Sequence, residues 1–184
     1  MKHIYHEGGL VDRRRGKFAV VIFLPPFLDA VIKPLRERYD PIYNQISSHI
    51  TITFPFECEQ SIEEITSIVH SVIGRTSALP ISLNSIGDFY PHFPIIYWRV
   101  TENSALHGLY YQLYAALDQP IPYKQYVPHV TVAREISNHR LLLVKDKICS
   151  YLPSEGFVAK SLDLITPLAA GGRWVSVRRF QLPE

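Results

Sequence analysis

Ser48-His49-Ile50-Thr51-Ile52-Thr53-Phe54 and, eighty residues on, Pro128-His129-Val130-Thr131-Val132-Ala133-Arg134 both run histidine, aliphatic, threonine, aliphatic. Successive side chains of a strand point to opposite faces, so each stretch reads as a strand with one polar face and one apolar face. In the first copy strict alternation groups His49, Thr51 and Thr53 against Ile50, Ile52 and Phe54. In the second it groups His129 and Thr131 against Val130 and Val132. Whether the two polar faces meet decides both the fold and the chemistry.

Working outward, Lys17 to Leu24 is a continuous apolar run of strand length, closed by Pro25-Pro26, and reads as a central strand. Phe27 to Tyr39 has Leu28, Val31, Ile32, Leu35 and Tyr39 at helical spacing, with Arg36, Glu37 and Arg38 outside. Pro34 kinks this helix or begins its second half. After the first motif, Pro55 is expected to end the strand. Ser61-Ile62-Glu63-Glu64 is a capping box that starts a helix running to Gly74. Ile81–Phe89 and Ile95–Val100 read as strands. Asn103 caps a helix bearing Leu106, Leu109, Tyr110, Leu113, Ala116 and Leu117, and a loop from Asp118 to Val127 leads into the second motif. A helix over 138–152, a strand pair over 157–166 and 173–180, and Gly171-Gly172 between those strands finish the chain.

The order of elements therefore repeats. From His49 to Trp98 is 49 residues and from His129 to Trp174 is 45, and each motif is followed by helix, strand, strand. The expectation is an α+β fold of two antiparallel lobes, about 17–101 and 102–184, related by a pseudo-twofold axis and flanked by helices around a central cleft. Strand exchange between the lobes is allowed, and residues 1–16, with Arg13-Arg14-Arg15, form a loose tail.

Composition narrows the function. With 184 residues and 47% hydrophobic content the chain can bury a core of its own, and a net charge of +2 does not suggest a broad basic surface for duplex nucleic acid. Two cysteines, Cys58 and Cys149, lack disulfide-framework or zinc spacing, and no apolar run nears the roughly 20 residues that span a bilayer. A cytoplasmic monomer with no membrane contact and no obligate protein partner is expected.

One histidine on a half-buried strand is usually structural; two in matched contexts, facing across a cleft, can hold opposite protonation states. A neutral ring then takes a proton from a nucleophile while a charged one gives a proton to the leaving group, which is general acid-base catalysis. Thr51 and Thr131, on the same faces, would donate to the oxygens of a phosphate between the rings. A metal fits poorly, because two histidines without a paired carboxylate or cysteine make an incomplete site and threonine is a weak ligand.

The tetrads His49-Ile50-Thr51-Ile52 and His129-Val130-Thr131-Val132 resemble the 2H phosphoesterase superfamily, which includes 2'-5' RNA ligase and RNA 2',3'-cyclic phosphodiesterase proteins. The stretch from Arg38-Tyr39-Asp40-Pro41 to Phe56-Glu57 looks like a short bacterial phosphoesterase branch of it. The resemblance implies that His49 and His129 are the acid-base pair, that Thr51 and Thr131 bind phosphate oxygens, and that no metal or other cofactor is required. It implies hydrolysis of a 2',3'-cyclic phosphate, on an RNA end or a small nucleotide, to a 2'-phosphate, with 2'-5' ligation as the reverse sense. The alternatives are a non-catalytic nucleotide- or RNA-binding module of the same fold, or an esterase for another small cyclic phosphate such as that of ADP-ribose.

Accessory substrate-binding candidates follow. Arg134 matches the family pattern, but alternation puts it opposite His129, so a bulge or strand end would have to turn it. Tyr123, Lys124 and Tyr126 precede the second motif, where aromatic rings can stack on a base and a lysine can meet phosphate. Phe56 is core or cleft wall. Trp98 and Trp174 read as packing residues, His70, His107 and His139 as surface or structural, and His92 as a loop residue at the cleft rim.

Overall fold

A computed structural model of the chain describes residues 16–168 and 172–183. The Arg13-Arg14-Arg15 tail and the Gly171 half of the glycine pair lie outside them. In order come β1 (Gly16–Phe23), α1 (Pro26–Tyr39), β2 (His49–Cys58), α2 (Ile62–Ile73), β3 (Leu79–Asp88), β4 (Ile95–Val100), α3 (Ser104–Ala116), β5 (His129–Arg134), α4 (Asn138–Tyr151), β6 (Glu155–Ala159), β7 (Ser161–Pro167) and β8 (Trp174–Gln181). The fold is α+β, an antiparallel sheet with four helices.

The strand order is β6-β3-β4-β5-β2-β1-β7-β8, so the two motif strands, β2 and β5, are neighbours at the centre. A twofold axis between them relates β2 to β5, β1 to β4, β7 to β3 and β8 to β6. One half of the sheet, β5, β4, β3 and β6, comes from the middle of the chain, and the other, β2, β1, β7 and β8, from the segments on either side of it. The predicted strand over 157–166 is two strands, broken at Lys160; β6 pairs with β3 and β7 with β1. In that order β6 and β7 lie six positions apart, roughly 29 Å in a flat sheet, whereas the one residue linking them spans only about 7 Å between flanking Cα atoms. The sheet must therefore curl until its ends approach, and the Ala78 N–H donating to Pro183 O at 2.7 Å closes that seam.

The two faces differ. Phe18, Val20 and Ile22 of β1, Ile50 and Ile52 of β2, and Val130 and Val132 of β5 join one core that also takes the buried residues of all four helices. On the opposite face lie Ala19, Val21 and Ile165, with Ile46 from the connector, Phe23 and Trp174. That face is uncovered by helices and carries the cleft.

Local chemistry explains the elements. Pro25-Pro26 opens α1, since proline at a first helical position loses no intrahelical bond. Ser61 and Glu64 cap α2 reciprocally, at 3.2 and 2.7 Å, and Asn103 Oδ1 accepts from Leu106 N at the start of α3. Arg36 is not outside but 5% exposed, because its guanidinium meets Asp40 from within. Gly16 belongs to β1 rather than to the tail. Trp98 and Trp174 are not equivalent: Trp98 is buried beside β5, while Trp174 stands half-buried on the edge strand β8.

Candidate active site

The pairing of Ile50 with Val130 sets the register of β2 against β5. One residue either way, His49 lies across from Thr131 and His129 across from Thr51, so the four polar residues form a square about the twofold axis. The histidines are diagonal neighbours, which a regular antiparallel lattice separates by roughly 7–8 Å, enough to hold a phosphorus centre between them. All four line one cavity of about 530 Å³, within the range of small-ligand sites.

The rings are held alike. His49 Nδ1 lies 2.8 Å from Ser47 O and His129 Nδ1 2.7 Å from Val127 O. A carbonyl only accepts, so Nδ1 carries the proton in each and the neutral ring presents an unprotonated Nε2 at its other end. Burial, opposed by that carbonyl and reinforced by the Arg36 and Arg134 charges and by His129, lowers His49 from 6.5 to about 4. Burial first, and then Arg134, lowers His129 to about 4 as well. Phe89 meets the His129 ring edge-to-face at 4.9 Å and Tyr97 lies tilted to it at 5.0 Å, whereas Phe23 is 6.3 Å from His49.

Both motif strands bulge directly after the threonine, at Ile52 and at Val132. The β4–β5 register slips between Thr131 and Ala133, and the β1–β2 register slips between Thr51 and Thr53. A bulge inserts one residue and so reverses the face of everything after it. Arg134 consequently returns to the histidine face and lines the cavity. The same reversal corrects two expectations for β2. Thr53 is fully buried and its Oγ1 accepts from Val20 N at 2.8 Å, while Phe54 leaves the core face and joins the cavity wall. A second slip lets β2 run past Pro55 to Cys58, where a missing N–H is tolerated.

Of the accessory candidates, Tyr123 lines the cavity, 5.0 Å from Phe54 and 6.4 Å from Phe93, both edge-to-face. Tyr126 reaches the cavity only with part of a buried ring. It stacks on Tyr110 at 4.3 Å, its hydroxyl donates to Thr51 O at 2.7 Å, and burial pushes its pKa far up. Lys124 is exposed and does not line the cavity; its carbonyl accepts from Tyr111 Oη. Phe56 packs in the core against Phe18 at 6.2 Å, because the second slip, between Thr53 and Phe56, turns β2 back to the core face. His92 is exposed outside the cavity, and His70 and His139 are surface residues; His107 packs on Tyr126 at 5.4 Å.

Sequence reading missed Arg36 and Asp40. Arg36 Nε and Nη2 meet Asp40 Oδ2 at 3.1 and 3.0 Å and Nη1 donates to Ser48 Oγ at 3.1 Å. Asp40 Oδ1 lies 3.3 Å from Arg134 Nε. The available signal was a charged pair four residues apart where an apolar helix ends in Asp-Pro. Among the described residues no group of three or more His, Cys, Asp and Glu side chains gathers as a metal site, and no helix is long and apolar enough to cross a membrane.

Residues 24–170 match the sequence profile of the 2'-5' RNA ligase superfamily. A "Putative phosphoesterase" of Geobacillus thermodenitrificans is 34% identical over 121 residues, covering 65% of this chain and 70% of that protein. Its namesake in Bacillus pumilus is 32% identical over 123 residues, covering 66% and 72%. Among solved structures, Escherichia coli LigT complexed with 3'-AMP superposes with a TM-score of 0.67 at 16% identity, over 93% of this chain and all of that one. A Thermus thermophilus protein gives 0.65 at 16% identity, over 90% and 97%.

Proposed function

Because this chain belongs to the 2'-5' RNA ligase superfamily, we propose that its phosphoesterase activity is the hydrolysis of a nucleoside 2',3'-cyclic phosphate, free or at an RNA end, to a 2'-phosphate. His49 and His129 act as the acid-base pair, Thr51 and Thr131 bind the non-bridging oxygens, and no metal takes part. The observation that carries this reading is the matched anchoring of the two rings, each fixed through Nδ1 to the carbonyl two residues before it, on one cavity.

In this scheme water attacks phosphorus as one neutral Nε2 takes its proton. The P–O3' bond breaks, and the other ring, as imidazolium, delivers its proton to O3'. The product carries a 2'-phosphate, and the pair ends with its protonation states exchanged. Burial alone leaves both rings neutral at pH 7. The charge of a docked phosphate raises them and so favours loading one with the proton that the acid must give. The same displacement with a 5'-hydroxyl in place of water would make a 2'-5' linkage.

The cavity also suits a nucleoside. Phe54, Phe93 and Tyr123 form an aromatic wall on which a base can stack, and Arg134 stands by the other motif strand. LigT has been seen with 3'-AMP and with ATP, ligands of the class proposed here.

The test is incubation with nucleoside 2',3'-cyclic monophosphates in EDTA, with product identified by NMR. The expected product is the 2'-monophosphate alone, formed equally with and without chelator. Tight nucleotide binding without product would favour the binding module, and turnover confined to other cyclic phosphates would favour the remaining alternative. Product formation that survives replacement of both histidines by alanine would sink the acid-base assignment.

A further inference from the structure

We propose that Asp40 is a positioning residue for the phosphate site, clamping Nε of Arg134 so that the rest of that guanidinium faces the cavity, with Arg36 holding the carboxylate from behind. This role rests on the phosphate-site reading above but not on turnover.

Burial comes first. The Asp40 side chain is 0% exposed and that of Arg36 6%. A buried carboxylate requires a partner, and Arg36, four residues earlier on α1, supplies one through two hydrogen bonds. The Ile42 N–H adds a contact to Oδ1 at 3.3 Å. Those contacts already satisfy a helix-end lock, yet a second guanidinium is brought to the same carboxylate from β5, and only because the bulge turns Arg134 round.

Two guanidiniums share the Asp40 carboxylate, and the Glu135 carboxylate also acts on Arg134. The Arg134 contact is also incomplete: Nε lies 3.3 Å from Oδ1, close enough for charge attraction, but it is buried and not aligned as a hydrogen bond. A guanidinium has five N–H donors, one of them on Nε, so the clamp occupies the inner nitrogen and leaves the four terminal donors. Burial already penalises the Arg134 charge, and an anion arriving at those donors relieves that cost. Arg36 reaches the motif by a second route, through Ser48 Oγ, the residue before His49. The carboxylate therefore ties the arginine of one motif strand to the approach of the other.

The experiment is a double-mutant cycle on the full chain, read by calorimetric affinity for inorganic phosphate and by kcat and KM for 2',3'-cyclic AMP. Asp40→Asn should weaken phosphate binding about tenfold and raise KM while kcat changes less, since the grip serves ground and transition states alike. In an Arg134→Gln background the same change should cost nothing further, because its target is gone. An equal cost in both backgrounds would mean a general structural role and would overturn the proposal. So would unchanged affinity in Asp40→Asn, or no phosphate binding by the wild type. If Asp40→Asn does not fold, Arg134→Lys decides: it keeps the charge without an Nε to clamp, and should bind phosphate about tenfold more weakly. Wild-type affinity in that variant would overturn the clamp. Phosphate binding with the expected cycle but no turnover would instead count against the proposed reaction alone.

Discussion

The antiparallel strands β2 and β5 match residue for residue up to a point and then differ. Each carries a histidine anchored to a carbonyl two residues back, a threonine on the same face, and a bulge after it. The residue that the bulge returns to the cavity is Phe54 in one strand and Arg134 in the other. Their supports differ accordingly. On β2, Tyr126 donates to Thr51 O at 2.7 Å and Tyr114 Oη accepts from Phe54 N at 2.9 Å, whereas on β5 the support is the buried Asp40 carboxylate. In the proposed reaction the twofold sheet would repeat what is needed twice, proton carriers and oxyanion donors, and would break symmetry after the bulge, where a substrate with a base at one end and a phosphate at the other is to be oriented.

The largest expected effect tests the shared half. His49→Ala and His129→Ala should each lower kcat for 2',3'-cyclic AMP by about 10² to 10⁴-fold with cooperative unfolding intact. Equal losses would mean that the different rings around each histidine leave the chemistry unaffected; wild-type turnover in either variant would remove that residue from the mechanism. Next comes acid stability. Both folded-state values lie near 4 against an ordinary 6.5, so below pH 6.5 the unfolded chain takes up protons before the folded one. Stability is then whole above pH 6.5 and falls as the pH drops toward 4, by up to about 3 kcal/mol per histidine. Urea unfolding at pH 7 and pH 4.5 should show a smaller drop in a His49→Gln, His129→Gln double variant than in wild type.

The motif strands, their apolar faces and most elements were legible because period-two and period-3.6 patterns are local. Bulges were not, since an inserted residue shows only against the neighbouring strand; one unseen slip moved Thr53 inward and Phe54 outward. Matching Trp98 with Trp174 failed for a related reason. Sequence order suggested equivalent strands, but the sheet's symmetry pairs β4 with β1, and hydrogen-bonded neighbours are set by a curl visible only once β6 and β7 are seen to part at Lys160. Arg36 looked like a surface residue because its partner Asp40 is polar, and a buried ion pair leaves no hydrophobic signature.

The hydroxyl supports of β2 should yield a middling effect. Tyr126→Phe deletes the bond to Thr51 O, leaving a carbonyl short of a donor beside the proposed phosphate site, at a cost of about 1–3 kcal/mol in urea unfolding. Tyr114→Phe removes the acceptor of Phe54 N and should act in the same range. No change in either variant would mean that the bulge is held by strand pairing alone, and the contrast with the ionic support of β5 would lose its meaning.

The smallest effect isolates the point where the strands part. Phe54→Leu keeps most of the apolar area facing the cavity but removes the ring that meets Tyr123 edge-to-face at 5.0 Å. Aromatic pairing adds about 0.5–1.5 kcal/mol beyond area burial, so affinity for 2'-AMP should fall roughly 2- to 12-fold, while affinity for inorganic phosphate, which has no base, stays at the wild-type value. Arg134→Gln should do the reverse in proportion, weakening inorganic phosphate and 2'-AMP by the same factor. If Phe54→Leu weakens both ligands alike, the two strand ends do not divide base from phosphate, and Phe54 acts only through the shape of the bulge.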